Sequence, residues 1–136
     1  MKITVSINVN KPVAQIWRFW TDPVHIVNWN FAHESWCCPT AENDLSVGGK
    51  FNYRMEARDK SFGFDFSGIY EVVNVNARII YTFGDRSAET EFSQQVDGST
   101  KITTTFDMET TNSEELQRNG WQSILNNFKF YAESQS

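Results

Sequence analysis

Apolar and polar residues alternate in ITVSINV, which puts Ile3, Val5, Ile7 and Val9 on one face, the pattern of a half-buried strand. The period then changes. In KPVAQIWRFW, Val13, Ile16, Trp17 and Trp20 recur at helical spacing, and Pro12 suits a first helical position because its missing N–H would have no partner there. Asp22 and Pro23 supply a cap and a second start, so a second short helix is expected to follow.

Alternation returns after residue 49. KFNYRMEA sets Phe51, Tyr53 and Met55 against Asn52, Arg54 and Glu56, and FGFDFSGIYEVV aligns Phe62, Phe64, Phe66, Tyr70 and Val72. RIIYTF and AETEFSQQV continue the series, and Asp97-Gly98 marks a hairpin turn before STKITTTFDME. These connections are too short for crossover helices, which predicts an antiparallel sheet.

From about Ser113 to about Glu133 the chain reads as one long helix, roughly 30 Å at 1.5 Å per residue. Its apolar stripe is Leu116, Gly120, Trp121, Ile124, Leu125, Phe128 and Tyr131, and Asn112 with Glu115 resembles a capping box. Gly120 weakens a helix, so close approach of another backbone or a ligand is the expected reason for it. One strand, two short helices, about six further strands and a long helix make an α+β domain spanning residues 1–136. A strongly twisted sheet wrapped around such a helix leaves a natural place for a cavity.

Charge removes several partners. With 12 basic against 17 acidic residues, a net charge of −5 and no basic run, the chain carries no electrostatic footprint for nucleic acid or an anionic membrane surface. No apolar run is long enough to span a membrane, and MKITVSINVN alternates where a signal peptide would be continuously apolar, which leads to the expectation of a cytoplasmic protein. Aromatic residues make up 15% of the chain, more than a small core needs to exclude water, and wide rigid rings can line a hollow.

The order of PVAQIWRFWTDPVHIVNW, CPTAENDLSVGGKFNYRMEA, GFDFSGIYEVV, IIYTF and NSEELQRNGWQSILNNFKFY resembles the bacterial single-domain members of the family named for the activator of heat-shock protein 90 ATPase. That family belongs to the START-like, polyketide cyclase-like superfamily. The resemblance covers nearly the whole chain and implies a helix-grip fold, a curved antiparallel sheet of about seven strands around the last helix, with an apolar pocket between them. It implies binding of a lipid, polyketide or flavonoid-like molecule by a carrier or sensor. The superfamily also contains polyketide cyclases and dehydratases, and a cochaperone-type protein-interaction module is a third reading. The chaperone-activating role belongs to larger proteins with an additional N-terminal domain and is not carried over.

The densest chemistry lies in HESWCCPTAENDLSVGGKF, residues 33–51. A zinc site needs three or four converging ligands, and beyond His33, Cys37 and Cys38 there is no second ligand pair at metal spacing and one other histidine, His25. His33 and Cys37 would meet only in a helix, which Pro39 discourages, so a thiol–imidazole nucleophile is not expected. Neither a metal nor a cofactor is implied. His33, Glu34 or Asp65 at the rim of an apolar pocket would suit general acid–base work, but no matched acid and base stand out. Gly48-Gly49 lacks the spacing of a phosphate loop and reads as a turn into a strand, with Asp44 bracing it. No catalytic residue is therefore assigned. The expected ligand-lining residues are Trp29, His33 and Trp36 from one wall, Tyr53, Met55, Phe64 and Phe66 from the sheet, and Trp121 from the gripping helix.

Overall fold

The computed structural model describes residues 1–135 and holds eight strands and three helices among them. Strand β1 (Lys2–Val9) is followed by α1 (Val13–Thr21) and the single turn α2 (Pro23–Ile26). Two very short strands, β2 (Trp36–Cys37) and β3 (Ala41–Asn43), precede the meander β4 (Lys50–Ala57), β5 (Gly63–Asn74), β6 (Arg78–Phe83), β7 (Arg86–Gln94) and β8 (Thr100–Asp107). Helix α3 (Glu114–Glu133) closes the chain. Every pairing is antiparallel, in the order β1-β8-β7-β6-β5-β4-β2, with β3 also on β4. The eighth strand arises because β2 and β3 share one edge of β4 in place of a single longer strand. No described helix is long and apolar enough to cross a membrane.

The helix starts follow the capping chemistry with small shifts. Asp22 accepts a hydrogen bond from Val24 N at 3.1 Å and caps α2 as expected. Pro12 occupies the N-cap of α1, one position ahead of the first turn. At α3 the cap is Ser113, whose Oγ accepts from Leu116 N at 3.1 Å, while Glu114 and Glu115 place negative charge at the positive end of the helix dipole. Asn112, the expected cap, instead donates its backbone N–H to Glu109 Oε1 at 2.7 Å.

The core joins β1, β8, α1 and α3. Ile3, Val5 and Val9 pack with Ile102 and Phe106, with Ile16 and Phe19, and with Leu125, Phe128 and Ala132, all buried. Leu116 departs from the expected stripe and is exposed. Gln117 takes the buried place, because its amide holds the 109–112 loop: Nε2 donates to Glu109 O (3.1 Å) and Asn112 O (2.8 Å), and Oε1 accepts from Glu109 N (2.9 Å).

Two features shape the sheet. In β5 a bulge lies between Tyr70 and Val72, so the inward phase passes from Phe66 and Tyr70 to Val73, not to Val72. Gly68, opposite Phe51, leaves room for that ring: a Cβ there would lie 2.7 Å from the Phe51 ring and 2.4 Å from Thr82 O. At the other edge, α3 lies along β1. Arg118 Nη1 donates to Thr4 O (3.0 Å), Gln122 Nε2 to Ser6 O (3.2 Å) and Lys129 Nζ to Asn8 O (2.6 Å).

The end of β8 is fastened by Asp107. Its carboxylate accepts from Lys2 Nζ at 2.6 Å and from Ser87 N at 2.9 Å, and these bonds hold its pKa down to about 2. A lowered folded-state pKa stabilises the fold above the unfolded value and loses that contribution as pH falls through the folded one. Asp107→Asn is therefore expected to lower the melting temperature at neutral pH, with the difference from wild type closing between roughly pH 5 and pH 2 in a series of thermal melts. A difference that stays constant across that range would contradict the assignment.

Candidate functional site

The helix does not fill the concavity of the sheet. Rings on β4, β5 and β6 pack against one another along the sheet: Phe51 stacks on Tyr53 (4.9 Å between centroids) and meets Tyr81 edge-on (5.1 Å). On β7 and β8 the inward residues at mid-strand are short, Thr90 and Thr104, whose hydroxyls bond each other at 2.9 Å. Between these surfaces and α3 lies a cavity of about 390 Å³. That volume falls within the range of roughly 300–1,000 Å³ typical of small-molecule sites.

Three walls enclose it. The sheet contributes Phe51, Tyr53, Met55, Phe64, Phe66 and Tyr70, with Ile79 and Tyr81 beside them. Helix α3 contributes Trp121, Ile124 and Leu125, and Trp121 is fixed by stacking on Phe106 at 4.0 Å and 7°. Trp20 and Trp29 form the third wall, Trp29 held by its Nε1 donating to Phe19 O at 3.0 Å.

Of the residues expected from sequence, Trp29, Tyr53, Met55, Phe64, Phe66 and Trp121 border the cavity. His33 and Trp36 do not. His33 is exposed and turned to Ser35, with Nδ1 2.8 Å from its Oγ, and Trp36 packs against Phe62 and Phe64 outside the wall (centroids 6.2 and 6.0 Å). Residues 31–37 are tied down beyond the cavity: Asn127 donates to Phe31 O, Arg58 Nε donates to Glu34 O at 2.7 Å, and Arg58 N donates to Ser35 O at 2.8 Å. Phe62, expected on the inward face, is exposed just before β5. The turn before β4 is as expected, with Ser46 N donating to Asp44 O at 2.9 Å.

Trp20, Asn30, Phe51, Tyr70, Ile79, Tyr81, Arg86, Thr90, Thr104, Glu109, Ile124 and Leu125 also line the cavity, beyond the residues expected from sequence. Ile79 and Tyr81 were accessible to the same period-of-two argument applied to RIIYTF. Arg86 was not, since a charged residue beside a turn reads as solvated.

The polar groups of the wall differ in state. Tyr53 and Tyr70 hydroxyls lie 3.3 Å apart, and Tyr70 donates to Asn43 Oδ1. Burial raises the pKa of Tyr53, Tyr70 and Tyr81, so all three remain neutral donors near neutral pH. Glu109 and Arg86 also reach the lining. The acid–base candidates do not converge there: Glu34 is exposed, and Asp65 is exposed and pairs with Arg54 Nη1 at 3.6 Å. Cys38 is buried, and burial pushes its thiol up to about 11, which keeps it protonated; its Sγ donates to Thr40 O at 3.4 Å.

Gly120 is not approached by another backbone. A Cβ built there meets nothing within 4 Å beyond its own helix and chain neighbours. Gly120→Ala is expected to stabilise the protein by about 0.5–1 kcal/mol through helix propensity, measured by urea unfolding. A loss of stability would reveal a packing role that the geometry lacks.

An antiparallel sheet gripping a C-terminal helix over an internal apolar cavity defines a START-like helix-grip domain. Residues 10–133 match the family model described as Activator of Hsp90 ATPase homolog 1-like protein, and the chain belongs to this family. The solution structure of the AHSA1-like protein from Aeromonas hydrophila is 37% identical, with a TM-score of 0.92 over 98% of this chain and 93% of that one. A protein from Cytophaga hutchinsonii is 44% identical, with a TM-score of 0.83 over 97% and 92%. At 20% identity, a protein from Nitrosomonas europaea shares the fold, with a TM-score of 0.86 over 100% and 96%. A search of curated proteins found no match. Family and fold support a general ligand-binding or cochaperone-like role.

Proposed function

We propose that the domain holds a small, largely apolar molecule, of lipid, polyketide or flavonoid-like type, in the cavity between α3 and the sheet, as a carrier or sensor. The observation that carries this reading is the 390 Å³ space walled by aromatic rings. Its polar groups favour holding over turnover. Tyr53 is paired with Tyr70 and Thr90 with Thr104, and among the described residues no imidazole lines the space to work with Glu109.

Trp20, Trp29 and Trp121 line the cavity and report on occupancy. Naphthalene-2-carboxamide, flavone and decanoate are expected to include at least one compound that quenches tryptophan fluorescence saturably at micromolar concentration, about −8 kcal/mol. Amide resonances of β4, β5 and α3 should shift with it. Ile124→Phe, which fills space from the helix side, should weaken that binding about tenfold or more while the melting temperature changes little. Absence of saturable binding across the panel, with wall resonances unmoved, would overturn the reading.

A further inference from the structure

The cavity wall carries one basic side chain among the described residues, Arg86, and its setting says what kind of molecule fits. Arg86 opens β7 directly across a two-residue turn from Phe83, and Gly84 at φ +65° lets that turn form. The inward phase of β7 runs through Arg86, Ala88 and Thr90, so the register turns the guanidinium toward the concave face. It lies over the Phe83 ring at 4.6 Å and spends one N–H on Asp107 O at 3.3 Å.

The other donors of that fork are not taken up by acid. Among the described residues the arginines held in ion pairs are Arg54, Arg78 and Arg118, and no ion pair engages Arg86. Asp107 gives its carboxylate to Lys2 and Ser87, and Glu109, which shares the cavity wall, accepts Asn112 N at Oε1 and makes no ion pair with Arg86 among the described residues. Tyr81 stands diagonally across the β6–β7 pair on the same face, a placement within reach of long side chains, and its hydroxyl has no hydrogen-bond partner among the described residues. A half-buried guanidinium with free donors and a nearby free phenol form a receptor for an anion, strengthened by the apolar surroundings.

We propose that the preferred ligand is an anionic amphiphile, its apolar body among the aromatic walls and its carboxylate or sulfonate on Arg86, with Tyr81 as second donor. The inference rests on the cavity-binding reading above and adds the chemistry of the head group.

The test compares one apolar body with three head groups: naphthalene-2-carboxylate, naphthalene-2-carboxamide and 2-naphthylmethylamine, titrated by calorimetry at low ionic strength. Wild type is expected to bind the carboxylate about tenfold more tightly than the carboxamide, with the gap narrowing as salt is added. Arg86→Gln should shrink the gap to within about twofold, Arg86→Lys should keep part of it, and Tyr81→Phe should reduce it about threefold. A melting temperature close to that of wild type is the control that each variant is folded. Equal affinities in wild type, or a gap that survives Arg86→Gln, overturns the head-group assignment alone. Tightest binding of the amine overturns it in favour of Glu109. If none of the three binds, the head-group assignment fails, and the cavity reading fails with it only when flavone and decanoate are not bound either.

Discussion

Deletion of residues from Asn112 onward is expected to leave a chain without a cooperative thermal transition. Helix α3 supplies Leu125, Phe128 and Ala132 to the core, all essentially inaccessible to solvent. Without them the inward faces of β1 and β8, Phe106 among them, are open to water, together with Phe19 on α1. Leu125, Phe128, Phe106 and Phe19 are each worth about 1.5–3 kcal/mol on burial, so their joint loss is as large as a typical whole-domain stability of about 5–15 kcal/mol. The tie at the helix start goes as well, leaving Glu109 N without Gln117. Circular dichroism melts would show a broad slope where the full chain gives a sigmoid. A sharp transition in the truncated protein would mean that the sheet has a core independent of the helix.

The second large effect isolates one side chain. Phe128 is fully buried and meets Trp20 and Trp29 with ring centroids 4.9 Å away in each case, both edge-on. Phe128→Ala removes those contacts and leaves a hole beside the cavity, for an expected cost of about 3–5 kcal/mol in urea unfolding. Phe130, two positions on, is 80% exposed, and Phe130→Ala should stay within about 0.5 kcal/mol of wild type. Since both variants change the same residue type in the same helix, equal effects would show that burial is not what sets the cost. Trp20 and Trp29 also line the cavity, so Phe128→Ala should weaken ligand binding in addition.

The parts of the fold that were legible in the sequence are those where burial repeats with a regular period. β1 and the Trp121-to-Phe128 stripe keep one period from end to end, and the cavity-facing set Tyr53, Met55, Phe64 and Phe66 follows from the same alternation. Legibility fails where a local interaction resets the phase or a polar side chain is needed inside. IYEVV is compatible with Val72 or Val73 turned inward, and the bulge decides. At the start of α3 the demand of the 109–112 loop for hydrogen bonds places Gln117 inside and Leu116 outside, against hydropathy. His33 and Trp36 combine reactive or aromatic side chains with closeness in sequence to Trp29, yet Arg58 and Asn127 hold their segment beyond the wall. That tether depends on residues more than twenty positions away, so local pattern carries no trace of it.

The side chains that α3 lays on β1 have a bearing on how copies of this protein treat one another. An outermost strand ordinarily offers its free carbonyls and amides as a template for a neighbour. Here Arg118, Gln122 and Lys129 already occupy the carbonyls of Thr4, Ser6 and Asn8. The opposite margin is broken into the two-residue β2 and three-residue β3, too short to guide a long partner strand. Both borders thus discourage strand-by-strand polymerisation between copies of the chain.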